Sequence, residues 1–215
     1  MQIYKNQKDL TTALTYLSAK DENLAVAFQK YGTPPLRKRT RGFAGLAQIL
    51  ISQQVSTAAA ATIFSRFEAA MGALEPKNLL ALDAAALSGV GLSRSKQRYL
   101  RILAEKIAGG ELDMKKLDRA DNETIYNTLI AITGIGPWSA ECYLLFALRR
   151  ADMFPAGDLA LQHGVRMMYG MDDKPSAEAL ADFAQRWQPY RGAAARLLWS
   201  YYNGEMAEMR AQKGK

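Results

Sequence analysis

The chain has 215 residues, 49% of them hydrophobic, and a formal net charge of +7, so it can bury a sizeable core and its basic balance favours a polyanionic partner such as nucleic acid. Its single cysteine, Cys142, excludes an internal disulfide framework and any four-cysteine zinc or iron–sulfur cluster. No run approaches the ~18 apolar residues of a membrane span and no apolar signal segment opens the chain. The expected location is therefore the cytoplasm, in association with the nucleoid and away from membrane.

Apolar residues recur at helical rather than alternating intervals, which predicts an all-α fold of about ten helices. In chain order, the breaks fall where Gly, Pro and polar residues gather: GTPP (32–35), EPKN (75–78), SGVGLSRS (88–95), the turn at Gly134, FPAG (154–157) and DDKPS (172–176). Between them, the alanine-rich stretch 57–61 is helix-prone, and Leu100, Leu103 and Ile107 mark one apolar stripe. Asp121 and Asn122 are candidate caps for the helix marked by Ile125, Leu129 and Ile132, and Leu180, Phe183 and Trp187 mark a later one. From about Glu205 the chain turns polar and is expected to fray.

The stretch ITGIGPWSAE (132–141) sets Gly134 and Gly136 one residue apart and follows them with Pro137. Glycine takes φ > 0 or lets another backbone approach, and proline suits the first position of a helix. With the helices before and after it, the turn makes a helix–hairpin–helix, whose outward N–H groups at a helix N-terminus suit a DNA phosphate. Taken alone, an ordinary tight connection between helices explains the turn equally well. Twenty residues beyond Trp138, Asp158 follows the Pro/Gly loop DMFPAGD (152–158), with room for one helix between them. By type and place it reads as a helix N-cap or as an acid facing the hairpin across a cleft.

Five stretches in order resemble the helix–hairpin–helix (HhH-GPD) DNA glycosylase superfamily, and more narrowly its alkylation-repair branch, the 3-methyladenine DNA glycosylase II group. They are LAQILISQQVS (46–56), GLSRSKQRYL (91–100), ITGIGPWSAE, DMFPAGD and WQPYRGAAARLLW (187–199). The resemblance implies two helical subdomains flanking a cleft: residues 1–42 with 146–215, carrying the acid loop, and residues 43–145, carrying a wedge turn and the hairpin. It implies a monomer that acts on double-stranded DNA containing alkylated bases, releases purines such as 3-methyladenine and 7-methylguanine by hydrolysis, and leaves an abasic site. A non-catalytic helix–hairpin–helix DNA-binding module, needing no acid and no aromatic pocket, is the alternative.

Asp158 matches the family's essential aspartate. Breaking an N-glycosidic bond builds positive charge on the sugar, which a carboxylate stabilises while orienting water. An N-alkylated purine is already cationic and leaves neutral, so the second carboxyl group of most glycoside hydrolases is not needed. Bifunctional relatives carry a lysine nucleophile where this chain has Trp138, and an indole forms no Schiff base. Trp138, Trp199 and Phe43 are candidate walls for a flipped cationic base, through stacking and cation–π attraction, against core packing as the alternative.

The resemblance also places the wedge at Gln54, filling the gap left by base flipping, with Gln53 and Ser56 beside it touching DNA or bracing the hairpin. A polar helix start capped by Ser56 is the plainer reading. Arg37, Lys38, Arg39 and Arg41 form one basic cluster and Arg94, Lys96, Arg98 and Arg101 another. Lys96 and Ser93 are the expected backbone contacts, with Gly134, Gly136 and Ser139 at the hairpin. His163 and Cys142 read as structural, and Asp152 as a support for the Asp158 loop or an ordinary cap. No cofactor is required. Relatives bind a monovalent cation, Na+ or K+, through backbone carbonyls that here fall at Ile130, Ile132 and Gly134.

Overall fold

A computed structural model describes residues 2–37 and 39–213. Among them are thirteen α-helices, one π-helical turn, one 3-10 turn and a lone antiparallel bridge between Ile3 and Arg150, so the fold is all-α. No described helix is long and apolar enough to cross a membrane.

The helices fall into two units. The first takes the chain up to residue 38 and again from Arg149 onward; the second spans Arg39–Leu148. The first holds α1 (Gln7–Ser18) and α2 (Glu22–Tyr31), and the second holds α3 (Gly42–Ser52), α4 (Thr57–Met71), α5 (Pro76–Ala81), α6 (Ala84–Gly89), α7 (Arg94–Ala108), α8 (Met114–Leu117), α9 (Asn122–Ile130) and α10 (Pro137–Cys142). The chain then returns to the first unit for α11 (Leu159–Met168), α12 (Ala177–Phe183) and α13 (Arg191–Lys213). The helices exceed the expected number because α5, α6 and α8 run only six, six and four residues, too short for a 3.6-residue period to register.

Short polar side chains start most of these helices. Asn6 and Asp9 form a reciprocal capping box at α1, and Asp21, Ser56, Asp83, Ser93, Asp113, Asp121, Asp158 and Ser176 each accept from a first-turn N–H of the helix they precede. Each bond satisfies an amide that the helix itself leaves unpaired, and a lost cap costs typically about 1 kcal/mol.

In the first unit, Leu10, Leu14, Leu17, Leu24, Leu161, Val165, Trp187, Leu197 and Leu198 are buried around α13. That helix runs 23 residues, to Lys213, beyond the expected fraying point. There it is tied to α2: Lys30 Nζ sits 2.9 Å from a carboxylate oxygen of both Glu205 and Glu208, and Tyr31 donates to Glu205 at 2.8 Å. Gly204 makes this approach possible, since a Cβ there would stand 2.8 Å from Tyr31 Cζ.

In the second unit, Leu46, Ile49, Leu50, Phe67, Leu100, Leu103, Ile125, Leu129, Leu144 and Leu145 form the core. After α10 the chain continues as a π turn, Tyr143–Ala147, which aims Tyr143 at the start of α3. The Gly42 N–H donates to the Tyr143 hydroxyl at 2.7 Å and that hydroxyl donates to Asp118 Oδ1 at 2.7 Å. Burial, with the Asp118 carboxylate beside it, pushes the Tyr143 phenol above its ordinary pKa.

Candidate functional site

Asp158 closes the loop between Arg149 and α11, and its extended backbone (φ −76°, ψ 121°) makes it the N-cap of that helix. Its Oδ1 accepts from the N–H of Ala160 at 2.9 Å, of Leu161 at 3.1 Å and from the indole N–H of Trp199 at 3.0 Å. Two donors come from the helix that Asp158 starts and the third from α13, so the carboxylate is oriented by elements about forty residues apart in sequence. The cap reading thus describes the geometry, and the cap leaves the acid half-buried. Trp199, expected as a pocket wall, directs its one polar atom at that acid.

The loop itself is held at three points. Arg191 grips Asp152 through Nε–Oδ1 at 2.8 Å and Nη2–Oδ2 at 2.9 Å, a two-pronged pair joined by the Arg191 N–H. The Gly192 N–H donates to Ala151 O at 2.8 Å. Gln162, only 5% exposed, donates to Ala156 O at 3.1 Å and accepts from Lys174 at 2.9 Å. Asp152 therefore ties the loop to the helix that bears Trp199. Gln162 and Arg191 were not singled out from the sequence, because a glutamine inside an amphipathic helix and an arginine at a helix start carry no local signal. His163 stacks on Tyr202 with ring centroids 6.1 Å apart, as a packing residue.

In the second unit, α9, the glycine turn and α10 form the hairpin. Gly134 has φ 94°, and a Cβ there would stand 2.6 Å from Tyr99 Cβ, so α7 packs directly against the turn. Gly136 is the N-cap of α10, which opens on Pro137. The backbone N–H groups of Gly134 and Gly136 meet no acceptor among the described residues. Trp138, in the first turn of α10, is half-buried, while Phe43 is 5% exposed and belongs to the core. Cys142 is also buried.

The stretch LISQQVS ends α3 and starts α4. Gln53 is the C-cap of α3, Gln54 is exposed with φ 55°, and Ser56 caps α4 by accepting from Ala59 N–H at 3.2 Å. A glutamine in the left-handed region carries a strain of roughly 1–3 kcal/mol. Gln53 Nε2 donates to Gly134 O at 3.0 Å and to Ser139 Oγ at 2.7 Å, and Ser139 is 2% exposed. Gln53 thus braces the hairpin, one of its two expected roles, and Ser139, expected at DNA, is turned inward to meet it.

Ser93 caps α7 by accepting from Lys96 N–H at 3.3 Å. The Lys96 side chain does not extend outward with its neighbours Arg94 and Arg98. Its ammonium donates to Ile51 O at 2.7 Å and Gln53 O at 2.8 Å, and burial holds it below the ordinary lysine pKa. Arg101 donates to Leu82 O. In the other basic cluster, Arg39 lies over the Phe146 ring at 5.6 Å, and Lys38 falls outside the described residues.

Among the described residues no group of three or more His, Cys, Asp or Glu side chains is placed to hold a metal ion. At the hairpin, Ile132 O accepts from Ile135 N–H and Gly134 O from Gln53, each at 3.0 Å. A carbonyl oxygen has two lone pairs, so Ile132 O and Gly134 O each keep one for a further donor or a cation.

The family model described as HhH-GPD superfamily base excision DNA repair protein matches residues 47–189. The chain is 30% identical over 197 residues to DNA-3-methyladenine glycosylase 1 of Schizosaccharomyces pombe, covering 88% of this chain and 86% of that protein. Among solved structures it is similar to S. pombe 3-methyladenine DNA glycosylase (Mag1) in complex with abasic DNA, with a TM-score of 0.82, 29% identity and coverage of 88% of this chain and 95% of that one. It is also similar to DNA-3-methyladenine glycosidase from Bacillus halodurans, with a TM-score of 0.76, 30% identity and coverage of 97% and 95%.

Proposed function

Because the chain belongs to the HhH-GPD superfamily of base excision DNA repair proteins, we propose that it removes alkylated purines from duplex DNA by hydrolysing the N-glycosidic bond, as a monomer that leaves an abasic site. The observation that carries this reading is the Asp158 carboxylate, oriented by three N–H donors at the head of α11. A carboxylate so fixed is ready to face the positive charge that grows on the sugar as the bond breaks, without reorganising at that moment. The alkylated base leaves neutral and needs no acid, so a single carboxylate suffices; it also orients or deprotonates the attacking water.

The nucleotide must first leave the stack, at a cost of a few kcal/mol. Gln54 is proposed as the wedge, supported by its exposure and its strained backbone between α3 and α4. Gly134 and Gly136 are proposed to bind a strand phosphate through their N–H groups, with the caps at Ser56 and Ser93 presenting two further helix starts to the backbone. Gln53 and Ser139 support that grip from within. Trp138 is proposed as the face on which the cationic base stacks, worth about 0.5–2 kcal/mol. Its place where relatives carry the lysine nucleophile supports hydrolysis without strand cleavage. A Na+ or K+ ion held by the carbonyls of Ile130, Ile132 and Gly134 would supply positive charge toward the phosphate.

The test is incubation with a methylated duplex followed by hot alkali. Release of the base, with strand breaks appearing only after alkali, is the expected result. Breaks before alkali would mean lyase chemistry, and an unreleased base would remove the glycosylase reading.

A further inference from the structure

Gln53 joins three elements. Its side chain holds the hairpin at Gly134 O and Ser139 Oγ, its carbonyl takes the Lys96 ammonium, and Gln54 follows it directly. Lys96 reaches that joint from the first turn of α7, across 43 residues of chain. Its second bond, to Ile51 O, falls on the last turn of α3, where unpaired carbonyls and the negative end of the helix dipole favour a cation. Two of the three ammonium protons are thus spent inside the protein. The start of α3 is fixed separately, through Gly42 and Tyr143.

We propose that Lys96 is a positioning residue for extrusion of the damaged nucleotide: it locks the Gln53–Gln54 turn to α7, so that Gln54 keeps its left-handed backbone against the resisting base stack. A wedge can push only as hard as its base is held. Without Lys96, the force of unstacking is taken up by relaxation of a strained turn. The side chain matters in proportion to how firmly the target is paired and leaves the phosphate contacts alone. This rests on the reading of Gln54 as a wedge in a glycosylase.

The experiment uses the full chain and two duplexes carrying N7-methylguanine, one opposite cytosine and one opposite an abasic analogue. Lys96→Met is expected to slow single-turnover excision from the paired site about tenfold or more, the loss of a charged donor. From the unpaired site, where pairing drops out of the resistance and only stacking remains, the slowing is expected to stay under about threefold. Lys96→Arg should recover most of the paired-site rate, and the salt slope of duplex binding should not change. Equal slowing on both duplexes would make Lys96 a general structural support and overturn the proposal. So would a salt slope reduced by about one, the mark of a lost phosphate contact. Should Lys96→Met not fold, Lys96→Gln carries the same comparison with the same reading of each outcome. If the unmodified protein releases no alkylated purine from a methylated duplex, the glycosylase reading fails instead, which no Lys96 result can mimic.

Discussion

In the unit that holds Asp158, donors converge on one acceptor: two backbone amides and the Trp199 indole meet a single carboxylate oxygen. In the unit that holds the hairpin the traffic is reversed. Lys96 and Gln53 spend their donors on the carbonyls of Ile51, Gln53 and Gly134, and the amides of Gly134 and Gly136 meet no acceptor among the described residues. The first arrangement presents an oriented anion, suited to a sugar that becomes cationic. The second draws side-chain donors onto the turn's carbonyls and leaves the amides of Gly134 and Gly136 to be presented, suited to phosphate. The sign comes from a side-chain charge in the first unit and from unpaired backbone amides in the second.

The sharpest way to break this contrast is Trp199→Phe, which keeps an aromatic ring and removes one donor from the acid. A hydrogen bond to a charged group is worth about 1.5–3 kcal/mol, so the single-turnover excision rate should fall roughly ten- to hundredfold. Affinity for undamaged duplex, measured alongside, should stay unchanged. Gly134→Ala attacks the other side. Its φ of 94° and the crowding against Tyr99 force α7 and the turn apart. Strain of about 1–3 kcal/mol should appear as a lower melting temperature together with weaker binding of undamaged duplex. A variant that melts lower and binds normally would separate the hairpin from DNA.

The smallest expected effect lies away from both sites and serves as their control. Lys30 and Tyr31 hold the Glu205 carboxyl below its ordinary pKa. A depressed carboxylate contributes stability that is present above its unfolded value of about 4.3 and is lost as pH falls through the folded one. Glu205→Gln should therefore melt slightly below the unmodified protein at neutral pH and converge with it in acid, as a partly exposed pair allows. Excision should not change.

Helical spacing was enough to place α7, α9 and α12, and the Gly134–Gly136–Pro137 order was enough to place a tight turn opening a helix, because each signal sits within a few residues; the hairpin reading needed the motifs around it. Asp158 as a helix cap was legible for the same reason. What the sequence did not reveal depends on partners far along the chain. Lys96 stands among Arg94, Arg98 and Arg101 and reads from the sequence as a contact to the DNA backbone; only the folded position of the end of α3, 43 residues earlier, turns it inward. Gln162, Arg191 and Ser139 belong to the same group, as polar residues whose bonds go to loops that composition does not reveal. The part of α13 beyond Glu205 is tied to α2 through Lys30, 175 residues away.

The most direct test is Asp158→Asn, with base release and duplex binding measured on the same preparation. The amide keeps an oxygen for the Ala160, Leu161 and Trp199 donors and lacks the negative charge. Release of N7-methylguanine should fall by about a thousandfold or more while duplex affinity holds. Release at the unmodified rate would contradict the assignment of the acid and, with it, the account of how this fold breaks the bond.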